Sequence, residues 1–329
     1  MGMGVTRQRY LVTGGAGFIG SHLVHRLVDG GGRVRVVDDL STGSLANLAG
    51  LLDAVDLVEG DLADPAVAAA ATAGVDVILH LAALGSVPRS IAEAWRSHDA
   101  NVNATVRLLE AGRAAGARRI VFSSSSSVYG DTPVLPKVES TEPLPRSPYA
   151  AGKLAGEQYV LAYARAGLVE GVALRYFNVF GPRQSPTGQY AAVIPLFMQA
   201  ALAGTPARVH GDGHQTRDFT YVDNVVDANL RAAHGPAERV SGRVVNVGAG
   251  GRTSLRELLR AIEHVSQRPI AVEPHPARGG DVRDSLAGLE RAAEVLGYAP
   301  TVSLGEGLAR TWEWFRASAA APKADGGAI

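Results

Sequence analysis

Tyr149 and Lys153 stand four residues apart, and Ser123, Ser124, Ser125, Ser126 and Ser127 form an unbroken hydroxyl run upstream of them. On a helix, side chains at i and i+4 lie one turn apart on one face. A tyrosine phenol titrates near ~10 and is a poor base at neutral pH. A neighbouring ammonium lowers that value by roughly 1–3 units, and a second cation lowers it again. A phenol treated in this way can take the proton of an alcohol near pH 7. Pro148 suits the first turn of a helix, and Gly152 is expected to keep bulk out of the space between the two side chains.

A Tyr-x-x-x-Lys spacing alone is common, and the start of the chain gives it context. Tyr10-Leu11-Val12 is a short apolar run, followed directly by Thr13-Gly14-Gly15-Ala16-Gly17-Phe18-Ile19-Gly20 and then by apolar residues at helical spacing. The order is strand, glycine turn, helix, with Gly14, Gly17 and Gly20 spaced as in a dinucleotide-binding turn. Such glycines let main-chain amides approach a pyrophosphate at a helix N-terminus. Arg33–Val37 reads as a second strand ending at Asp38 and Asp39, and Asp38 is placed to accept hydrogen bonds from an adenosine ribose. No arginine follows Asp38 directly to receive a 2′-phosphate, so the pattern favours NAD over NADP.

Apolar runs over 9–13, 33–38, 55–59, 75–81 and 118–124 alternate with helical stretches, which predicts an α/β fold with a doubly wound parallel sheet of Rossmann type. Ligands bind such sheets beyond the carboxyl ends of the strands. Gly60-Asp61-Leu62 is therefore expected against an adenine, and Leu81-Ala82-Ala83 against a pyrophosphate or ribose. After residue 175, prolines and glycines interrupt shorter elements, as in a smaller interleaved α+β lobe that holds a substrate. The division expected is 7–177, with 221–248 returning to it, for the dinucleotide domain. Residues 178–220 and 249–316 are expected to form the substrate lobe, and 317–329 a disordered tail.

The chain has 329 residues, equal numbers of acidic and basic side chains, and no cysteine. The length supports a large core. The absence of cysteine excludes disulfides, thiol nucleophiles and cysteine metal sites, and neutrality gives no sign of a nucleic-acid partner. The scattered histidines have no metal-ligand spacing, so no metal is expected. With no signal-like or membrane-spanning apolar stretch, a cytoplasmic enzyme without a membrane partner is the expectation.

Taken together, these motifs resemble the extended short-chain dehydrogenase/reductases, and within them the UDP-sugar 4-epimerases. The likeness runs from Tyr10 to about Trp314. It rests on the glycine turn, on the serine run ending in Val128-Tyr129-Gly130-Asp131, and on Ser147-Pro148-Tyr149 with Lys153. It continues through Arg175-Tyr176-Phe177-Asn178-Val179-Phe180-Gly181-Pro182, Arg217-Asp218-Phe219 and Gly280-Asp281-Val282-Arg283. Bacterial UDP-N-acetylglucosamine 4-epimerases are the most similar subgroup, through Ala82–Ile91, Tyr190–Pro195 and Gly250–Leu255.

The resemblance implies tightly held NAD that is not consumed, a UDP-sugar substrate and a homodimer. It makes Tyr149 the base, gives Ser125 the sugar 4-hydroxyl and Lys153 the nicotinamide ribose, and leaves Ser126 a secondary contact. Phe18, Ile19, Asp39, Leu62 and Phe177 join the cofactor contacts. Gly85, Ser86, Asn178, Ala192, Val193, Arg217, Arg278, Asp281 and Ser285 join the substrate contacts. Sugar-nucleotide dehydratases and decarboxylases carry acids just before Val-Tyr-Gly, where this chain has Ser126-Ser127, so epimerisation is expected. Ser285 replaces a tyrosine often found in strictly UDP-glucose enzymes and leaves room for a 2-acetamido group. UDP-GlcNAc/UDP-GalNAc is thus the first expected substrate pair, and UDP-Glc/UDP-Gal the second. A UDP-glucuronic acid 4-epimerase is the alternative, with Arg89 or Arg183 meeting the carboxylate. A non-catalytic NAD sensor is a remote one, since such proteins lose the Tyr and Lys pair retained here.

Overall fold

The computed structural model describes residues 8–186, 191–276 and 282–320. Its centre is a seven-stranded sheet with every pairing parallel. The strands are β1 (Arg9–Thr13), β2 (Arg33–Asp38), β3 (Val55–Glu59), β4 (Val77–His80), β5 (Arg119–Ser125), β6 (Glu170–Tyr176) and β7 (Arg243–Val247). They lie in the order β7-β6-β5-β4-β1-β2-β3. The order reverses between β1 and β4, and a crevice opens there at the carboxyl ends.

Strands buried on both faces read as apolar runs rather than alternations. Tyr10 and Val12 of β1 pack on one face with Val24, Leu27, Val225 and Val226, while Leu11 packs on the other with Ile78, Leu108, Ile120 and Phe122. Helices contributing to these layers include α1 (Phe18–Asp29), α2 (Pro65–Thr72), α3 (Ala104–Ala114) and α4 (Pro148–Arg165). A separate core unites α5 (Val193–Ala203), α7 (Leu255–Ser266) and α8 (Leu304–Ala320) through Ile194, Phe197, Leu258, Ile262, Leu308 and Trp312. Between them, α6 (Val222–His234) returns its Val225 and Val226 to the sheet.

The tail differs from expectation at its start. Residues 317–320 continue α8, because Trp312 and Phe315 anchor that helix and Ala317, Ala319 and Ala320 prolong it at little entropic cost. Residues 321–329 lie outside the described residues.

A buried polar chain ties β1 to β4 at the crevice. Thr13 Oγ1 accepts from the amides of Leu81 and Ala82, each at 3.0 Å, so its own proton goes to His80 Nδ1 at 2.7 Å. His80 must then carry its proton on Nε2 and donate to Thr105 Oγ1 at 3.0 Å, while Thr105 donates to Asn101 O at 2.8 Å. Burial, helped by the Lys153 charge, pushes the imidazole down to about 3.

His80 therefore stays neutral in the folded chain while an unfolded chain takes up a proton below about 6.5. Stability is lost as pH falls through that window, by about 2 kcal/mol between pH 7 and pH 5. Urea unfolding at both pH values should show this loss reduced by about that amount in His80→Gln. An unchanged pH dependence in the variant would refute the assignment.

Candidate active site

The crevice is a cleft of about 550 Å³ over the switch point. Gly14 has φ +64°, and a Cβ there would stand 2.9 Å from Ala82 N and Cα, so the two strand-end turns touch through backbone alone. Gly20 opens α1 against the same turn, where a Cβ would fall 2.1 Å from Gly14 O. Gly17, Phe18 and Ile19 complete this wall of the cleft, and Leu81, Ala82 and Ala83 form the opposite one.

Asp38 sits at the end of β2 with 6% of its surface exposed. Its Oδ2 accepts from Ala16 N and its Oδ1 from Leu40 N, both at 2.9 Å. Burial pushes the carboxyl upward while these amides draw it down. The residue thus braces the glycine turn as well as facing the cleft, a role that its spacing did not reveal. Asp39 is exposed, holds Ser41 and lies at the rim, and Asp61 and Leu62 close the far end. These are the contacts that an adenosine diphosphate moiety requires: amides at a helix start, a carboxylate at the second strand and an apolar end pocket. NAD fits this set of donors.

α4 starts at Pro148, with Ser147 Oγ accepting from Ala150 N at 3.1 Å. Its first turns bring Tyr149 and Lys153 to the end of β5. Ser125 Oγ accepts from Ser127 N at 3.2 Å and from Ser127 Oγ at 2.9 Å, and it hydrogen-bonds Tyr149. The Ser125–Ser127 contact converts what the sequence shows as a plain serine run into an oriented hydroxyl relay. Ser126 is half-buried at the start of the short turn Ser126–Tyr129.

Lys153 is 4% exposed; its Nζ donates to Ser123 O at 2.8 Å and lies 5.1 Å from the centre of the Phe122 ring. Burial pushes the ammonium down to about 7. Burial also pushes the Tyr149 phenol up, against the Ser125 bond. The lysine therefore does not prepare the base alone, because its ammonium is desolvated and engaged with β5. Gly152 likewise has a different partner than expected: a Cβ there would meet Asn101 Cβ at 3.2 Å, so it serves helix packing. Asn101 lies in a π-helical turn, Asp99–Asn103, and its Oδ1 accepts Leu84 N at 2.9 Å. No sequence signal marked that turn.

Gly85, Ser86 and Ala192 line the cleft, with Ala192 preceding Val193 at the start of α5. Asn178 and Ser285 lie together: Asn178, at φ +28°, donates Nδ2 to Ser285 Oγ and to Asp218 O, both at 3.1 Å. Ser285 is buried, so the open wall expected there is already bonded to Asn178. Arg217 Nη1 donates to the carbonyls of Thr216 and Arg283 at 2.9 and 3.0 Å. Phe177 is fully buried against Tyr129, with ring centres 6.2 Å apart. Arg278 and Asp281 lie outside the described residues. Arg89, Arg96 and Gln184, not singled out as cofactor contacts, also line the cleft, Arg89 and Arg96 from the short helices Val87–Ala92 and Ala94–His98 that the sequence pattern does not show. No metal-ligand cluster occurs among the described residues, and none of their helices is long and apolar enough to cross a membrane.

Residues 10–248 match the model of the NAD dependent epimerase/dehydratase family. The chain belongs to that family. It is 46% identical over 312 residues to a UDP-glucose 4-epimerase of Mycolicibacterium smegmatis, covering 94% of this chain and 98% of that one. Among solved structures, a UDP-N-acetylglucosamine 4-epimerase from Methanobrevibacter ruminantium M1, in complex with UDP-N-acetylmuramic acid, superposes with a TM-score of 0.89 at 38% identity. That match covers 95% and 99% of the two chains. MoeE5 in complex with UDP-glucuronic acid and NAD gives a TM-score of 0.85 at 37% identity, covering 94% and 99%. The protein is accordingly an NAD-dependent enzyme with a Rossmann-type sheet.

Because a Cβ at Gly20 would collide with the carbonyl of Gly14, Gly20→Ala must displace the glycine turn. Denaturing the purified wild type should release close to one NAD(H) per chain, and the variant should release little. Equal amounts from both would show that the turn does not hold the dinucleotide.

Proposed function

We propose that this enzyme inverts C4 of a UDP-hexose by transient oxidation to the 4-keto sugar and return of hydride on the opposite face. The observation that carries the reading is the Ser127–Ser125–Tyr149 relay at the end of β5, beside a buried lysine and next to the dinucleotide cleft. NAD, when bound, supplies the reversible hydride acceptance that such an inversion needs. Tyr149 takes the 4-hydroxyl proton at its phenol oxygen, and Ser125, already fixed by Ser127, holds the hydroxyl in line. Lys153 holds the nicotinamide ribose and adds positive charge near the phenol. Beside the base, Ser126 and Ser127 offer hydroxyls where elimination or decarboxylation would call for an acid.

Asn178, Ala192, Val193 and Arg217 grip the nucleotide, with Arg278 and Asp281 assigned to the same task. A firm hold on UDP leaves the keto sugar free to turn over, which puts binding energy into the part of the substrate that does not react. The expected substrates are UDP-GlcNAc and UDP-GalNAc, with UDP-Glc and UDP-Gal next. The N-acetylated sugar nucleotide bound by the methanogen relative supports this order. UDP-glucuronic acid is the second reading. Arg89 lines the cleft and is favoured for its carboxylate, whereas Arg183 is committed to Ser21 Oγ at 2.9 Å on α1.

Nuclear magnetic resonance of the enzyme mixed separately with UDP-GlcNAc, UDP-Glc and UDP-GlcA should show C4 inversion, fastest with the first. Tyr149→Phe should lower turnover at least ~100-fold with little change in substrate binding. Near wild-type turnover in that variant would overturn the mechanism.

A homodimer completes the reading. Trp95, Ile91 and Tyr159 are 77%, 62% and 44% exposed on the outer side of the 87–98 helices and α4, an apolar cost to a monomer that pairing these helices removes. Light scattering at micromolar concentration should report twice the mass of one chain. A single-chain mass would reject it.

A further inference from the structure

Glu157 has no part in the chemistry above, yet it is wholly buried and completes a series. Tyr149, Lys153 and Glu157 succeed one another at four-residue intervals along α4 and so stack on one face. Each meets the end of β5. Tyr149 meets the Ser125 hydroxyl, and Lys153 Nζ meets Ser123 O at 2.8 Å. Glu157 Oε2 accepts from Ser124 Oγ, also at 2.8 Å.

From the other side Arg175 on β6, in register with Ser124, donates Nε to Glu157 Oε2 at 2.9 Å and Nη2 to Oε1 at 2.6 Å. Arg175 is 2% exposed and lies 4.6 Å from the centre of the Tyr129 ring, while its Nη1 has no hydrogen-bond partner. An ion pair this deep is a poor source of stability, since an apolar pair of similar volume often does as well or better. It is a good source of direction, because a planar guanidinium and a carboxylate engage through two bonds in only a narrow range of orientations.

α4 needs direction. The first half of its buried face carries the small residues Ala150, Gly152 and Gly156, with Val160 and Leu161 only further along, and a Cβ at Gly156 would fall 2.7 Å from the Phe122 ring. A smooth helix packed this closely has few ridges to fix its rotation or its height along the strand. We propose that Glu157, clamped between Arg175 and Ser124, is a positioning residue for the reaction. It sets the rotation and height of α4 so that Tyr149 and Lys153 meet the end of β5. The proposal rests on Tyr149 being the base, as assigned above.

The test compares Glu157→Gln, which removes the charge at constant shape, with Glu157→Asp, which keeps the charge but retracts it by one methylene. Rates are expressed per NAD-bearing subunit, counted after denaturation, with the UDP-hexose that the wild type turns over, unlabelled or deuterated at C4. In the Gln variant kcat should fall roughly 10- to 100-fold at unchanged KM, with a larger isotope effect from C4 deuterium, because a misplaced base slows the chemical step itself. The Asp variant should recover part of the loss. A purely structural role would lower only the number of NAD-bearing subunits. If kcat per such subunit and the isotope effect matched the wild type, the inference would be overturned while the base assignment stood. If Tyr149→Phe retained turnover, the base assignment would fail, and the clamp would have nothing to position.

Discussion

The seam between α4 and the end of β5 is the constraint on which the site depends. A helix can approach its neighbours this closely only where its inner face is bare, and Gly156 provides that against Phe122 of β5, Gly152 against Asn101 of the π turn. Close approach in turn buries whatever polar groups the face carries. The lysine loses water and is pushed down to about 7, the phenol is pushed up, and a carboxylate is sealed in beside an arginine. For the lysine and the phenol alike, burial disfavours the charged form of the side chain.

The second constraint lies at the switch point, where two backbones meet. Gly14 and Ala82 touch without side chains, and Thr13 links both turns through a neutral His80. This places the pyrophosphate turn of β1 and the loop after β4 in one rigid frame. Asp38 extends the frame by binding the amide of Ala16. The cleft is thus braced by buried polar contacts on three strands.

The segments around Asn178, Arg217 and Ser285 are held by a different device. Asp218 is fully buried and accepts the amides of Ala249, Gly250 and Ala287 at 2.8, 3.0 and 3.1 Å, and its own carbonyl accepts from Asn178. Burial pushes its carboxyl upward, and these main-chain donors oppose that. Asp218 thus ties its own segment, beside Arg217, to 249–250 and 287 through its side chain and to Asn178 through its carbonyl. The motif Arg217-Asp218-Phe219 is visible in the sequence, but its middle residue acts inward, on loops far apart in the chain.

The sequence by itself determined the parallel sheet, the glycine turn, the acid at the end of β2 and the tyrosine–lysine face. Each is encoded locally, by apolar runs, by backbone geometry that only glycine tolerates, or by helical spacing. It also pointed to the family, through many short motifs in one order. Tertiary structure alone decided what those residues touch. Phe177 turned into the core because Tyr129 and Val128 surround it, Ser285 found Asn178, and Gly152 served Asn101. It likewise revealed Ser127 as the orienting hydroxyl, Glu157 as the third member of the helix face, and the π turn that aims Asn101 at Leu84. These are contacts between segments from two to more than one hundred residues apart. Local pattern carries no information about such pairings, because burial and hydrogen-bond partners are set only when the sheet closes and the helices settle on it.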